Sequence, residues 1–564
     1  MRSTFYGLEI ARSGLYTSQN ELNVTGHNIS NVDTVGYSRQ RLNTAALPPI
    51  SMNVQFAVDN RATSGRGVEA LTVDQVRDLF LDAKYREEAH QTGYWNTKMN
   101  EFEMVQQLYN SVLESSNTSA NIYNAIGSFQ NALSDLHETP SSISLRKNVL
   151  TKAGQLAETF NYIYDKLQTQ HSDLNSSIEV TVGQINDISQ SIANLNRQIF
   201  GYELSGAKAN DLRDSRNLLL DQLSGMVDIQ YYENSQGYLT VTIGGRELVN
   251  GVAYNLLAVD PQGAVNQMDV VSNADVIGRQ STVVWADGLG RPSKNPDDVV
   301  RLGGGSLKAY IDLRDGATAE NVGVPYAAAK LNELARQIAK EVNDIHRQGW
   351  TMPFLEEDAL GTAQDVRVYN EHGAVTLGLT PGTVTGPNGD KTYYQSTQGI
   401  NFFEVGEAND YSKINAGNFC VSAEIEKNVY LIACSSERMT VAGELNADNT
   451  LNMQTGNNEN ILKLMALADR KNELGNADNY QDRLKALVSD VGTRHGHLKS
   501  MDSAQQVRIY SIVQQRASVS SVSLDEEMTN VVRFTHAYNA NARVLTAIDE
   551  ELDTLINKMG LVGR

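Results

Sequence analysis

The chain is 564 residues long, 41% hydrophobic and 20% charged, which is long enough for about three to five domains and too apolar for a disordered polymer. Its 67 Asp and Glu outweigh 47 Lys and Arg to leave a formal charge of -20, which repels a phosphate backbone and excludes nucleic acid as an expected partner. Two cysteines, Cys420 and Cys434, provide neither a disulfide framework nor the paired spacing of a structural zinc site, and one bridge between them stays open.

No window approaches the roughly 18 to 20 apolar residues of a membrane span. The opening MRSTFYGLEIARSG has no secretory apolar region, so neither membrane insertion nor a cleaved signal peptide is expected. The ten prolines leave the stretches 1–47, 50–139, 141–260 and 388–564 free of proline. Proline costs about 3 kcal/mol inside a helix, so these are where long helices fit.

In the first stretch Met1, Leu8, Leu15, Leu22 and Ile29 recur every seventh residue, with Thr4, Ala11, Ser18 and Thr25 between them. This is an a/d pattern with small d positions. Gly7, Gly14 and Gly26 weaken such a helix in isolation, so it requires a partner. A helical period continues from Tyr94 to Leu136, broken near ESSNTSAN, and a continuous stripe from Leu145 to Ile199 predicts one or two long rods. From Val227 the period becomes two. YLTVTIGGRELV puts Leu239, Val241 and Ile243 on one face of a strand, and the β character extends with interruptions to Arg301.

Residues Pro325 to His346 return to a helix, 366–435 favour strands around the turn cluster TPGTVTGPNGDKT, and helical periodicity resumes after Asn460. At the C-terminus Leu524, Met528, Val531, Thr535, Tyr538, Ala542, Leu545, Asp549, Leu552, Ile556 and Met559 alternate at four-three spacing. Ser523 reads as the N-cap, Asp525, Glu526 and Glu527 favour the first turn, and Lys558 and Gly560 close the helix.

Candidate chemistry is sparse. His137-Glu138 begins the zinc-protease pattern HExxH, but Ser141 stands where the second histidine must be and Pro140 breaks the required helix. His495 and His497 read as surface histidines on a strand face or turn, with no further ligand at metal spacing. Gly303-Gly304-Gly305 reads as a tight turn into a helix, since no GxxxxGK[ST] follows. The acid pairs Asp297-Asp298 and Glu356-Glu357 read as solvated loop charge, and no GxSxG occurs. No catalytic residue, metal or cofactor is expected.

Immediately after the N-terminal heptads comes Asn28-Ile29-Ser30-Asn31, a short spacer, and Gly36-Tyr37-Ser38-Arg39-Gln40. This run resembles the N-terminal signature of bacterial flagellar rod, hook and hook-associated proteins. Its Tyr-Ser-Arg-Gln continuation is similar to the hook-associated protein 1 family. The C-terminal SVSLDEEMTNVVRFTHAYNANARVLTAIDEELDTLINKMG resembles that family's C-terminal elements, as do ANDLRDSRNLLLDQLS at 209–224, GGGSLKAYIDLRD at 303–315 and VPYAAAKLNELARQIAKEVNDIHRQG at 324–349. His27 and His536 depart from the family's usual Asn and Gln.

Together the pattern and the resemblance predict an α+β multidomain fold with long coiled-coil-like terminal helices paired around a helical rod and outward mixed or β domains. The expected division is 1–49 for the N-terminal helix and motif, 50–226 for a helical rod or bundle and 227–324 for a β-rich domain. It continues with 325–365 for a helical segment, 366–459 for a second β-rich domain, 460–522 for a returning helix and 523–564 for the C-terminal helix. The expected assembly surface comprises Leu8, Ala11, Leu15, Ser18, Leu22, Ile29, Leu524, Met528, Val531, Tyr538, Ala542, Leu545, Leu552 and Ile556.

The resemblance further implies a structural, non-enzymatic junction between flagellar hook and filament, outside the cell and exported by the flagellar type III apparatus. Its implied partners are further copies of itself, the hook protein, the distal junction protein, and an export chaperone at the C-terminal helix. A hook or distal-rod subunit is the alternative within the class. A hydrolase carried in residues 227–459 is the alternative outside it.

Overall fold

The computed structural model describes residues 6–47, 65–113, 121–204, 206–234, 236–261, 281–358, 367–370, 373–376, 381–386, 389–405, 410–446, 450–453, 457–468, 478–554 and 556. Met1, Thr4, Lys558, Met559, Gly560 and the break at 114–120 lie outside them.

Helix α1 (Tyr6–Ser30) leads into an antiparallel ribbon of β1 (Gln40–Ala46) and β2 (Val68–Gln75). Four helices follow: α2 (Leu79–Leu113), α3 (Ile122–Glu138), α4 (Ile143–Glu203) and α5 (Asn210–Met226). A four-stranded antiparallel sheet contains β3 (Gln230–Glu233), β4 (Leu239–Ile243), β5 (Arg246–Asn250) and β6 (Ala253–Tyr254), and β7 (Leu257–Asp260) pairs with β8 (Thr282–Trp285). Helices α6 (Ser306–Asp315) and α7 (Val324–His346) return the chain to the body.

Beyond them, β9 (Phe354–Leu355) precedes a separate hairpin of β10 (Arg367–Asn370) and β11 (Gly373–Thr376). Then come β12 (Pro381–Gly386), β13 (Gly389–Tyr394), α8 (Ala423–Lys427), β14 (Val441–Leu445) and β15 (Leu451–Met453). These strands make a sheet of order β15-β14-β12-β13-β9. Finally α9 (Glu459–Ala466), α10 (Tyr480–Ser520) and α11 (Leu524–Asp553) close the chain.

The predicted rods are one helix. Helix α4 runs 61 residues, about 90 Å at 1.5 Å per residue, and is capped by Ser142, whose side chain accepts from the Leu145 amide. Its apolar stripe serves two cores in series. Val149, Leu156, Phe160, Ile163 and Leu174 pack with α2, α3, α7, α9 and α10. Ile178, Ile185, Ile188 and Ile192 belong with α5, α6 and the β3–β6 sheet. A long helix with unequal partners at its two ends is stabilised by burial along its whole length, at roughly 1.5 to 3 kcal/mol for each large apolar side chain.

Residues 399–405 and 410–435 depart from the strand expectation. They form irregular chain with the short α8, packed into the first core through Phe402, Phe403, Phe419 and Leu431. Side chains of the helices replace ladder hydrogen bonds. Asn343 Oδ1 accepts from the Phe402 and Phe403 amides at 2.8 Å each, and its amide group donates to Phe403 O at 2.9 Å. Asn332 accepts from the Ala416 amide at 2.7 Å. The fully buried Arg146 donates to Pro140 O at 2.9 Å and to Ile432 O at 2.7 Å. An alternating pattern cannot reveal backbone whose partners lie on other elements. His495 and His497 likewise sit on α10, in the middle of a helix rather than a strand or turn.

His346 carries a testable consequence. Its Nδ1 bonds Ile400 O at 2.5 Å while Nε2 accepts from the Ala433 amide at 2.8 Å, which requires a neutral ring. Burial lowers its pKa from 6.5 to about 4, with Arg146 adding to the fall, and burial together with Arg314 does the same for His171. Both are neutral when folded and protonate near pH 6.5 when unfolded. Their stabilisation is therefore complete above that pH and is lost as pH falls toward 4, by up to about 3 kcal/mol each. Urea unfolding at pH 7 and pH 4.5 should show a clearly smaller stability loss for His346→Gln than for the native chain; equal losses would remove His346 from the account.

Candidate assembly interface

Helices α1 and α11 lie antiparallel and in contact along most of their length. A Cβ added to Gly14 would lie 2.8 Å from the Asn541 side chain, and one on Gly7 would lie 3.2 Å from Ile548 Cδ1. Glycine at these positions permits the close approach. On α1 the small d positions Ala11, Ser18 and Thr25 are buried, whereas Leu8, Leu15, Leu22 and Ile29 are half-buried. The buried hydroxyls of Thr17 and Thr25 donate to Ser13 O and Glu21 O within the helix, each at 2.9 Å.

On α11 the face toward α1 carries Glu527, Val531, Phe534, Tyr538, Asn541, Leu545, Ile548 and Leu552. The sequence stripe shares Val531, Tyr538, Leu545 and Leu552 with this face. Ala542 is half-buried, while Leu524 is 48% exposed, Met528 57% and Ile556 72%. The helix is rolled by about 50° from the expected orientation, half of one 100° residue step. The cause is at its root, where Glu527 must point inward.

That root is a polar junction built on the Asn28-to-Gln40 motif. Helix α1 ends where Asn31 donates to His27 O, and Gly36 turns the chain at φ 84°, a conformation that favours glycine. Buried Asn28 then organises the return. Its Oδ1 accepts from Tyr37 Oη at 2.8 Å and from the Gln40 amide at 2.9 Å, and its Nδ2 donates to Gln40 O at 2.9 Å and to Glu527 Oε2 at 3.2 Å. Arg39 Nε donates to Glu527 Oε1 at 2.8 Å, its guanidinium also reaches Glu526 at 2.9 Å, and its amide donates to Ser520 O at 2.9 Å. The side chain of Glu527 is 2% exposed, so this ion pair is shielded from solvent on the glutamate side.

The other half of the motif is tied to α5. Ser38 donates through its amide and its hydroxyl to Asp214, at 3.0 and 2.7 Å. Gln40 Nε2 donates to Asp211 at 2.8 Å. Arg77 bridges Asp214 and Asp82, Arg516 bridges Asp82 and Asp221, and Arg86 pairs with Asp221. Burial opposes ionisation of Asp82, but the hydrogen bonds and charges of Arg77, with Arg516 and Arg86, outweigh it and hold its carboxyl below the ordinary range. Burial wins at Asp214, which is raised despite Ser38 and Arg77. Burial, with Asp211, Asp214 and Glu527 close by, also pushes the Tyr37 phenol upward.

The motif therefore joins α1, β1, α5 and the start of α11. Ser30 donates to Gly26 O, and Ile29 is half-buried. Sequence reasoning named the DLRDSR stretch without giving Asp211 or Asp214 a role, read Glu527 only as a first-turn acid of the C-terminal helix, and did not single out Arg77, Asp82 or Arg516. The signal available was charge: these acids interrupt otherwise apolar or capping positions and answer Arg39 and Arg77.

A family model described as the flagellar hook-associated protein FlgK helical domain matches residues 106–358. Models described as flagella basal body rod protein and as the flagellar basal body rod FlgEFG C-terminal match residues 8–37 and 513–558, the segments holding α1 and α11. The chain is 29% identical to flagellar hook-associated protein 1 of Bacillus subtilis over 573 residues, with 100% of both chains covered. It is 25% identical to the protein of that name in Salmonella typhimurium over 578 residues, covering 97% of this chain and 98% of the other. The solved structure of the flagellar hook junction protein FlgK from Burkholderia pseudomallei shares the fold, with a TM-score of 0.52 and 17% identity, covering 78% of this chain and 100% of that one. Paired terminal helices, the motif junction and similarity over the full length agree in supporting the flagellar hook-associated protein 1 family for this chain.

Proposed function

We propose that this protein is a structural adaptor of the bacterial flagellum that assembles on the distal end of the hook and supports attachment of the filament. The observation that carries this reading is the α1–α11 pair, rooted in the Asn28–Arg39–Glu527 junction and leaving Leu524, Met528 and Ile556 exposed. Exposed apolar side chains along a terminal helix favour contacts with neighbouring subunits. In a heterologous assembly such a contact repeats from one subunit to the next. Its neighbours in this reading are further copies of itself, the hook protein below and the distal junction protein above, with an export chaperone holding the C-terminal helix before assembly. Placement outside the cell by the flagellar export apparatus belongs to the same proposal.

Removing residues 523–564 should abolish incorporation onto hooks while the α4-centred body stays folded. Electron microscopy of cells making only the shortened chain should show bare hooks with filament protein lost to the medium. Normal filaments on those hooks would overturn the reading.

A further inference from the structure

Helix α11 has an unequal charge pattern on a strongly acidic chain. Residues 528–548 contain Arg533 and Arg543 and no Asp, Glu or Lys, whereas Asp549, Glu550, Glu551 and Asp553 follow directly. On the face turned away from α1, Arg533, His536, Ala540, Arg543, Ala547 and Glu550 succeed one another at alternating three- and four-residue spacing, and all are exposed. Val532 and Val544, 56% and 49% exposed, border the basic part. Among the described residues neither Arg533 nor Arg543 enters an ion pair; the Arg533 guanidinium lies over the Phe534 ring, and its charge acts on Glu21 of α1 only through space.

We infer that α11 of one subunit docks in parallel, with an axial shift, on α11 of a second copy, so that the acidic end of one helix covers the basic band of the next. Unshifted parallel copies would set Arg against Arg and acid against acid. A shift of about 7 to 17 residues, roughly 10 to 26 Å along the axis, instead brings Glu550 beside Arg543 or Arg533. Ala540 and Ala547 let the two backbones approach, and Val532 and Val544 lose solvent in the contact. The contact is heterologous: each copy offers a band to one neighbour and an acidic end to another, so it propagates without closing on a dimer.

This inference rests on the proposed assembly role and is tested within it. Full-length R533E/R543E and full-length D549K/E550K/E551K are expressed singly and together in cells that make hooks but lack the native chain. Copies per isolated hook are counted by quantitative immunoblot. Each variant alone should fall at least fivefold below the native chain. Expressed together they should recover to more than half the native level, because the acidic end of the first variant meets the basic band of the second and the basic end of the second meets the acidic band of the first. Circular dichroism of the purified variants should match the native chain, and rescue in the mixture is a readout that misfolding cannot imitate. Native copy number for either variant alone, or a mixture no better than its components, overturns the staggered contact. Failure of the native chain itself to reach hook ends would instead overturn the assembly role.

Discussion

Replacing Glu527 by leucine should release the root of α11 and cost about 3 to 5 kcal/mol of local stability. The substitution leaves Arg39 without its shielded partner and Asn28 without one acceptor, and breaking a buried ion pair from one side costs far more than the pair contributes net. The loss should be regional. Glu527 is the one residue of α11 that is fully buried among those described, so the rest of the helix depends on α1 and has little independent hold on the body. Hydrogen exchange should show faster exchange throughout residues 6–30 and 524–553, with α4 unchanged. Undiminished protection in α11 would show that the junction does not anchor it. Glu527→Gln keeps an acceptor for Asn28 and should produce a smaller loss in the same region.

The second large effect is expected at Gly93→Val. A Cβ at Gly93 would lie 2.0 Å from Gly225 O, so α2 and α5 meet there backbone to backbone. A branched side chain must push α5 outward, at about 3 kcal/mol or more. Because α5 carries Asp214 and Asp221, the displacement should also loosen Ser38, Arg77 and Arg86 at the junction. Gly225→Ala provides the contrast. Nothing lies within 4 Å of a Cβ there, and alanine improves helix propensity by up to about 1 kcal/mol. Chemical unfolding should place the two variants on opposite sides of the native chain, and equal destabilisation would refute the close-contact argument.

Much of this fold is legible in the sequence because periodicity records burial. The α4 stripe, the small d positions of α1 and the alternation in β4 each reflect a face turned toward a core. Helix α11 shows the limit. Its true inward set and the apolar stripe share every seventh residue, Val531 to Leu552, and differ in whether the intervening position is taken three or four residues on. Hydrophobicity favours Met528 over Glu527, yet Glu527 goes in because Arg39 and Asn28, nearly five hundred residues earlier, supply its partners. The irregular chain at 399–405 and 410–435 is illegible for the same reason: Asn332, Asn343, His346 and Arg146 complete its hydrogen bonding from helices far away in sequence. Periodicity reports which way a side chain faces, whereas a polar partner is a property of the tertiary arrangement.

The unbroken α4 also gives the body a mechanical character. Since one helix threads both hydrophobic cores, a pull or twist applied at the β3–β6 sheet reaches α3, α7 and α10 through consecutive helical hydrogen bonds instead of through a linker. The two cores thus behave as a single stiff lever arm.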